Sequence, residues 1–172
     1  MSTTYKFEAA AVWLDGVSLV GHIQEIEFPS VEWETVEHEA LGLRGRSEYP
    51  SRVNALESTI TWADYTRDLA AAAANPWQAV NLQVRSNFGE YKGGSKDRDI
   101  LQVVTLVGRF KSNPLGSLSQ GEFERESMMA VDYVKETWDG QLMFEFGVNP
   151  PIYRSGIDQT DLFAVIRAAL GL

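Results

Sequence analysis

The stretch SQGEFERESMMAVDYVKETWDGQLMFEFG, Ser119 to Gly147, most limits what this chain can become. Parts of it alternate with the period of two that marks a half-buried strand. It runs far past the usual strand of about five or six residues. Each ladder N–H and C=O along such a strand needs a partner, and so does its buried face. Glu122, Glu124, Glu126 and Asp132 give one side of it an acidic character. The rest of the chain has to say where the partners are and what the acid is for.

Composition narrows the answer. The 172 residues suffice for one domain with a real core, and the expected organisation is a single domain over 1–172. With 24 acidic and 15 basic residues the formal charge is −9. Such a surface repels nucleic acid, whose binding needs Lys and Arg to displace counterions, and it does not favour anionic membranes. There is no cysteine, which removes disulfides, thiolate nucleophiles and Cys-type zinc sites. The opening MSTTYKFEAAAVWLDG is too short and too acidic to read as a signal peptide, and no run reaches the roughly 18 apolar residues of a membrane helix.

Local patterns predict a mostly β chain. Val12 to Leu14, Asp15-Gly16 and Val17 to Val20 read as a hairpin with a type I′ turn. His22 to Pro29 continues as a strand, with Ile23, Glu25 and Glu27 on one face and Gln24, Ile26 and Phe28 on the other. Val31 to Glu39 alternates again, and Ala40 to Arg52 reads as a long excursion between strands. Asn54 to Trp62 is a strand, and DYTRDLAAAAANP a helix capped by Asp64 and ended by Asn75-Pro76. Trp77 to Phe88 is a strand, Gly89 to Asp99 a polar loop, and Ile100 to Ser112 a further strand. A second Asp-Gly hairpin at Asp139-Gly140 joins the long strand to Gln141–Gly147, and NPPIYRSG reads as irregular. The last segment, IDQTDLFAVIRAALGL, is a helix with Asp158 as cap, Asp161 in its first turn, and a stripe of Leu162, Ile166 and Leu170 joined by Phe163.

Catalytic chemistry finds little support. His22 and His38 lie on different predicted strands and belong to no spaced ligand motif. GGSKD, Gly93 to Asp97, lacks the P-loop pattern and precedes no helix, so it reads as a hairpin tip. Alternate strand acids such as Glu122, Glu124 and Glu126 stand about 6–7 Å apart. Glycosidase carboxylates, however, face each other across a cleft. The expectation is no enzyme, no metal and no cofactor.

The order of elements carries more. LDGVSLVGHIQEIEFPSVEWETVEHEALGLRG, NALESTITW, MAVDYVKETWDGQLMFEFGVNP and SGIDQTDLFAVIRAALGL together resemble the major tail tube protein of contractile-tailed bacteriophages, a family that includes R-type bacteriocin tubes. The likeness rests on the first Asp-Gly hairpin, the Pro29 turn, Tyr133 to Lys135, the Asn149 turn, the Gly-aliphatic-Asp start of the last helix and the Gly-Leu terminus. It covers the first and last thirds; Tyr65 to Gln120 matches in outline only, and Ser155 and Phe146 depart from the usual residues.

The resemblance implies a β-sandwich or small barrel with a flanking helix and a C-terminal helix. It implies hexameric rings that stack into a tube sharing a large inner β-barrel of about 24 strands, roughly four per subunit. At about 4.8 Å between strands and a tilt near 40°, that barrel is about 48 Å across its backbone, with roughly 40 Å left for DNA. The long strand would then find partners in neighbouring copies. On this reading the lumen-facing acids are Glu124, Glu126 and Asp132, with Glu25 and Glu27 as further candidates, and they keep DNA from sticking. The loop carrying Leu41, Gly42, Leu43, Arg44 and Arg46 would stack on the next ring. Implied partners are further copies of the chain, tail sheath, baseplate, tail terminator, tape measure protein in the lumen and, transiently, phage DNA. No membrane anchor is implied. The place is the virion tail, assembled in the host cytoplasm. A bacteriocin or type VI secretion-like tube is the alternative inside this architecture, and a monomeric β-barrel binding protein the one outside it.

Overall fold

A computed structural model describes residues 3–39, 45–113, 115–119, 122–156, 158 and 160–172. Its strands are β1 (Thr3–Leu14), β2 (Val17–Ser18), β3 (Ile23–Glu27), β4 (Trp33–His38), β5 (Ser47–Val53) and β6 (Leu56–Trp62); then, after helix α1 (Arg67–Ala74), β7 (Val80–Lys92), β8 (Ser95–Phe110), β9 (Ser117–Ser119), β10 (Glu122–Trp138), β11 (Gln141–Gly147), β12 (Ile152–Ser155) and β13 (Thr160–Asp161). Helix α2 (Ala164–Leu170) follows. The main sheet runs β13-β12-β11-β10-β8-β7-β1-β2, and all its pairings are antiparallel. It does not close on itself.

The long strand is real, and it works as a fork. One edge of β10 pairs with β8 from Met129 to Trp138. Its other edge pairs first with β6, from Arg125 to Val131, and then with β11, from Tyr133 to Trp138. A bulge between Val131 and Tyr133 separates the two halves. It also switches the buried side, from Ser127, Met129 and Val131 to Val134. The β6 branch, extended by β3, folds back over β1 and β7 as a second layer. Between the layers lie Val12, Leu14, Leu56, Ile60, Leu82 and Leu106, each buried. Full burial of such a side chain contributes roughly 1.5–3 kcal/mol. Trp62 closes one end of this core, 1% exposed, and its indole N–H donates to the buried Ser127 hydroxyl at 3.0 Å.

Both Asp-Gly turns form as expected. Asp15 and Gly16 have φ of 48° and 84°, and Asp139 and Gly140 of 47° and 80°. These are the paired positive angles of a type I′ turn. Each aspartate also accepts a backbone N–H from the adjoining strand, from Asn81 at 2.8 Å and from Leu101 at 2.9 Å. The second arm of the first hairpin is shorter than expected, because Gly21 at φ 87° turns the chain away.

Several expectations are corrected. Gly89 to Asp99 is no loop: β7 and β8 stay paired up to a tight turn at Gly93-Gly94. Cross-strand ion pairs make that polar stretch a strand, with Arg98 on Glu90 and Lys92 on Asp97 at 2.6 Å each. The Arg98 guanidinium, and after it Lys92, hold the buried Glu90 carboxyl below its usual range despite burial. The excursion from Ala40 ends at Ser47, where β5 begins and pairs with β4 as a separate two-stranded sheet. Pro50 hid that strand; it sits next to the register shift between Glu34 and Thr35. A bulge between Ile23 and Glu25 puts Ile23 and Ile26 together toward the core, instead of on opposite faces. NPPIYRSG contains β12, obscured by its two prolines.

The helix caps also differ. Thr66, not Asp64, caps α1 by accepting the Leu69 N–H at 3.4 Å. Asp64 instead accepts the Tyr65 N–H at 2.7 Å. α2 starts later than expected, with Phe163 at its N-cap position rather than Asp158, and Asp161 belongs to β13. Gly171 ends it in the left-handed region at φ 73°, as a helix stop should. Phe163 packs on the core, yet Leu162, Ile166 and Leu170 stay exposed, and no residue of α2 is buried.

Candidate assembly surface

The four longest strands are neighbours. β1, β7, β8 and β10 have 12, 13, 16 and 17 residues and lie side by side. Alternation gives them a core face and an open face. The open face carries Asn81, Gln83, Arg85 and Asn87 on β7, Val103, Thr105, Val107 and Arg109 on β8, and Ala130, Asp132 and Lys135 on β10, none of them buried. The Arg85 guanidinium lies 4.9 Å from the Trp13 ring centre and donates to Gln83 Oε1 at 3.0 Å. This face is broad and polar, with both charge signs.

Its flank is open. β1 pairs with β7 along one edge from Thr3 to Leu14. On the other edge β2 covers Trp13 and Leu14, and the Leu19 N–H bonds Val12 O. From Thr3 to Ala11 that edge has no strand beside it among the described residues. Tyr5 and Phe7 on this edge strand are 52% and 56% exposed. A long unpaired edge invites another chain.

The structure brings together three of the acids named from sequence. Glu126 on β10 pairs with Thr61 on β6, which pairs with Glu25 on β3. Directly paired residues share a face, so Glu126 and Glu25 stand in one row about 10 Å apart, and Glu27 lies in the next row beside Thr59. All three are exposed, and none makes an ion pair among the described residues. Asp132 sits apart at the β10 bulge, ion-paired to Arg109 at 2.8 Å. Glu124 pairs through its backbone with Ser117; its side chain lies outside the described residues. So do Leu41, Gly42, Leu43 and Arg44 of the loop. Arg46 is described, and it binds Glu39 at 2.6 Å and Glu37 at 3.4 Å within its own hairpin. Of the two histidines, His22 Nδ1 lies 3.3 Å from Asp64, and His38 packs edge-on against Tyr49.

Sequence reasoning missed a polar row at the opposite flank. Tyr133 donates to Glu145 Oε1 at 2.7 Å, Arg154 reaches Glu145 at 3.1 Å, and Arg167 of α2 meets Asp161 at 2.5 Å. Burial, then the Glu145 carboxylate, pushes the Tyr133 hydroxyl well up from its ordinary value. Asp161 also accepts N–H groups from Phe163 at 3.0 Å and Tyr153 at 3.3 Å. Arg167 first, and these donors after it, hold the Asp161 carboxyl below its ordinary 3.8. A depressed carboxyl stabilises the fold above its unfolded value, and the contribution fades as pH falls through the lower folded value. Asp161→Asn should therefore unfold a few degrees below wild type at about pH 7, and the gap should close toward about pH 2. Thermal unfolding across that range checks it. Only the residue spacing in IDQTDLFAVIR hinted at this network.

The described residues present an open sheet flank and a broad polar face, the surfaces of a β subunit that can be extended by another chain. The sequence model of the family Phage tail tube protein FII matches residues 5–171, and the chain belongs to that family. Its role is therefore that of a structural tail tube protein, a component of the virion. No curated protein matches the sequence. Among solved structures, the fold is similar to the sheath/tube terminator of an extracellular contractile injection system, PVC, seen by cryo-EM in the extended state. The TM-score is 0.58 at 10% identity, over 74% of this chain and 92% of that one. The likeness extends to the fold. No described helix is long and apolar enough to cross a membrane.

Proposed function

We propose that copies of this chain join side by side into hexameric rings, and that the rings stack into the inner tail tube through which DNA passes during ejection. The observation that carries this is the row of four adjacent long strands ending in the unpaired edge of β1. A sheet of that kind is completed by the next copy, and a closed barrel has no edges left. The partners follow from the same reading: sheath outside, tape measure protein and then DNA inside, baseplate and terminator at the ends, with assembly in the host cytoplasm. The loop from Leu41 to Arg46 makes the ring-to-ring contact. Negative-stain microscopy of the purified chain tests the proposal. Tubes are expected from wild type and unstacked rings from Leu41→Asp; a monodisperse monomer at high concentration would overturn it.

In this reading the open face of β1, β7, β8 and β10 lines the path of DNA, and of the acids expected there Asp132 lies on it. Asp132 is ion-paired with Arg109, whereas Glu25, Glu27 and Glu126 stand on the outward side of the β3–β6 layer, with no ion pair among the described residues. Carboxylates repel phosphates within about 8–10 Å at physiological salt, and lysines there would bind them. Asp132→Lys should slow genome ejection at low salt by about tenfold while tubes still assemble. Unchanged ejection would exclude the electrostatic role.

A further inference from the structure

Two apolar surfaces lie uncovered at opposite ends of the main sheet. At the β13 end, α2 exposes Val165 (80%), Ile166 (48%) and Leu170 (65%), with Leu162 (58%) just before it and Leu172 (68%) just beyond. At the β1 end, a groove of about 420 Å³ opens between β1 and β3. Val12, Ile26 and Val84 line it, and Phe7, Val20 and Phe28 stand exposed at its mouth. Among the described residues its walls are two unpaired strand edges, since there β3 pairs with β6 and β1 with β7 over this stretch.

We propose that α2 of one copy docks in the β1–β3 groove of the next copy around the ring. This rests on the ring reading above and adds the contact that fixes neighbours in the layer outside the barrel. Different surfaces at opposite ends of one sheet make a head-to-tail contact, the kind that closes into a ring. The exposed α2 side chains present on the order of 500 Å², and a matching wall brings the total to about 1,000 Å², the threshold of a specific interface.

The levels agree as well. The foot of α2 lies at the row Asn81–Val107–Tyr133–Gly147–Ile152, through its packing near Gly147. The groove floor reaches β7 at Val84 and Ser86, three to five residues further along, which is about 10–17 Å. Strands tilted near 40° offset adjacent four-strand copies by about 16 Å along the strand direction, a stagger of the same size. The one charge on α2, Arg167, and the one charge lining the groove, Glu25, are opposite in sign, so docking meets no like-charge repulsion.

The absence of cysteine makes the contact directly measurable. The double variant Val20→Cys with Val165→Cys, assembled and then oxidised, should give a ladder from dimer to hexamer on a non-reducing gel, and neither single variant should. Leu170→Asp should cut the assembled fraction at least tenfold with an unchanged far-UV spectrum, because no α2 residue is buried. Tubes that form without a ladder, or Leu170→Asp assembling like wild type, would sink the docking while leaving the ring reading intact. A wild-type chain that never leaves the monomer would remove both.

Discussion

Gly108→Ala should be among the most damaging single-methyl changes in this chain, costing about 3 kcal/mol or preventing folding outright. Gly108 sits on β8 opposite Val131, at the bulge where β10 passes from β6 to β11. A Cβ built there overlaps the Ala130 carbonyl oxygen and lies 2.9 Å from both the Ala130 carbonyl carbon and Val131 Cα. Those are backbone atoms in a paired ladder, so no rotamer can relieve the clash. The glycine supplies room, since its φ is not among the positive ones. Gly16→Ala makes the opposite test: it has φ +84° and nothing within 4 Å. Its expected cost is about 1 kcal/mol, from conformation alone. Urea unfolding followed by far-UV circular dichroism separates the two, and equal losses would contradict the steric account.

Trp62→Ala is expected to cost about 3–5 kcal/mol, since it empties the largest fully buried side chain among the described residues. The indole packs edge-on against Tyr65 at 5.6 Å and bonds Ser127 across 65 residues of sequence. Ser127→Ala leaves the cavity filled but strands a buried N–H, for about 1–3 kcal/mol. The same unfolding experiment orders the two variants. Ser127→Ala as harmful as Trp62→Ala would mean that the hydrogen bond, rather than the packed volume, holds this end of the sandwich.

The parts of the fold legible in sequence were those written in local chemistry. Asp-Gly turns demand their backbone angles, the alternation of Leu56, Ser58 and Ile60 survives intact as one buried face, and Gly171 stops a helix. What stayed hidden depends on partners distant along the chain. The polar stretch around Gly93 becomes strand because each charge finds its opposite across the hairpin, which single-strand periodicity does not register. The bulge beside Gln24 turns an apparently two-faced strand into one with a single apolar side. Of the candidate site, the residue types were readable but their company was not. Glu126 and Glu25 lie about a hundred residues apart in sequence and meet only through Thr61, while Asp132 loses its free charge to Arg109. The α2 stripe was visible as amphipathic, and its want of cover within the chain was not.

The fork in β10 has a mechanical consequence. The strand is bonded to β8 from Met129 to Trp138 along one margin, and to β6 and then β11 from Arg125 to Trp138 along the other. A thrust directed along this strand loads those rungs in shear, many at once, instead of unzipping them singly. Both layers of the sandwich then share the load through one continuous stave, which yields only when most of its rungs give way together.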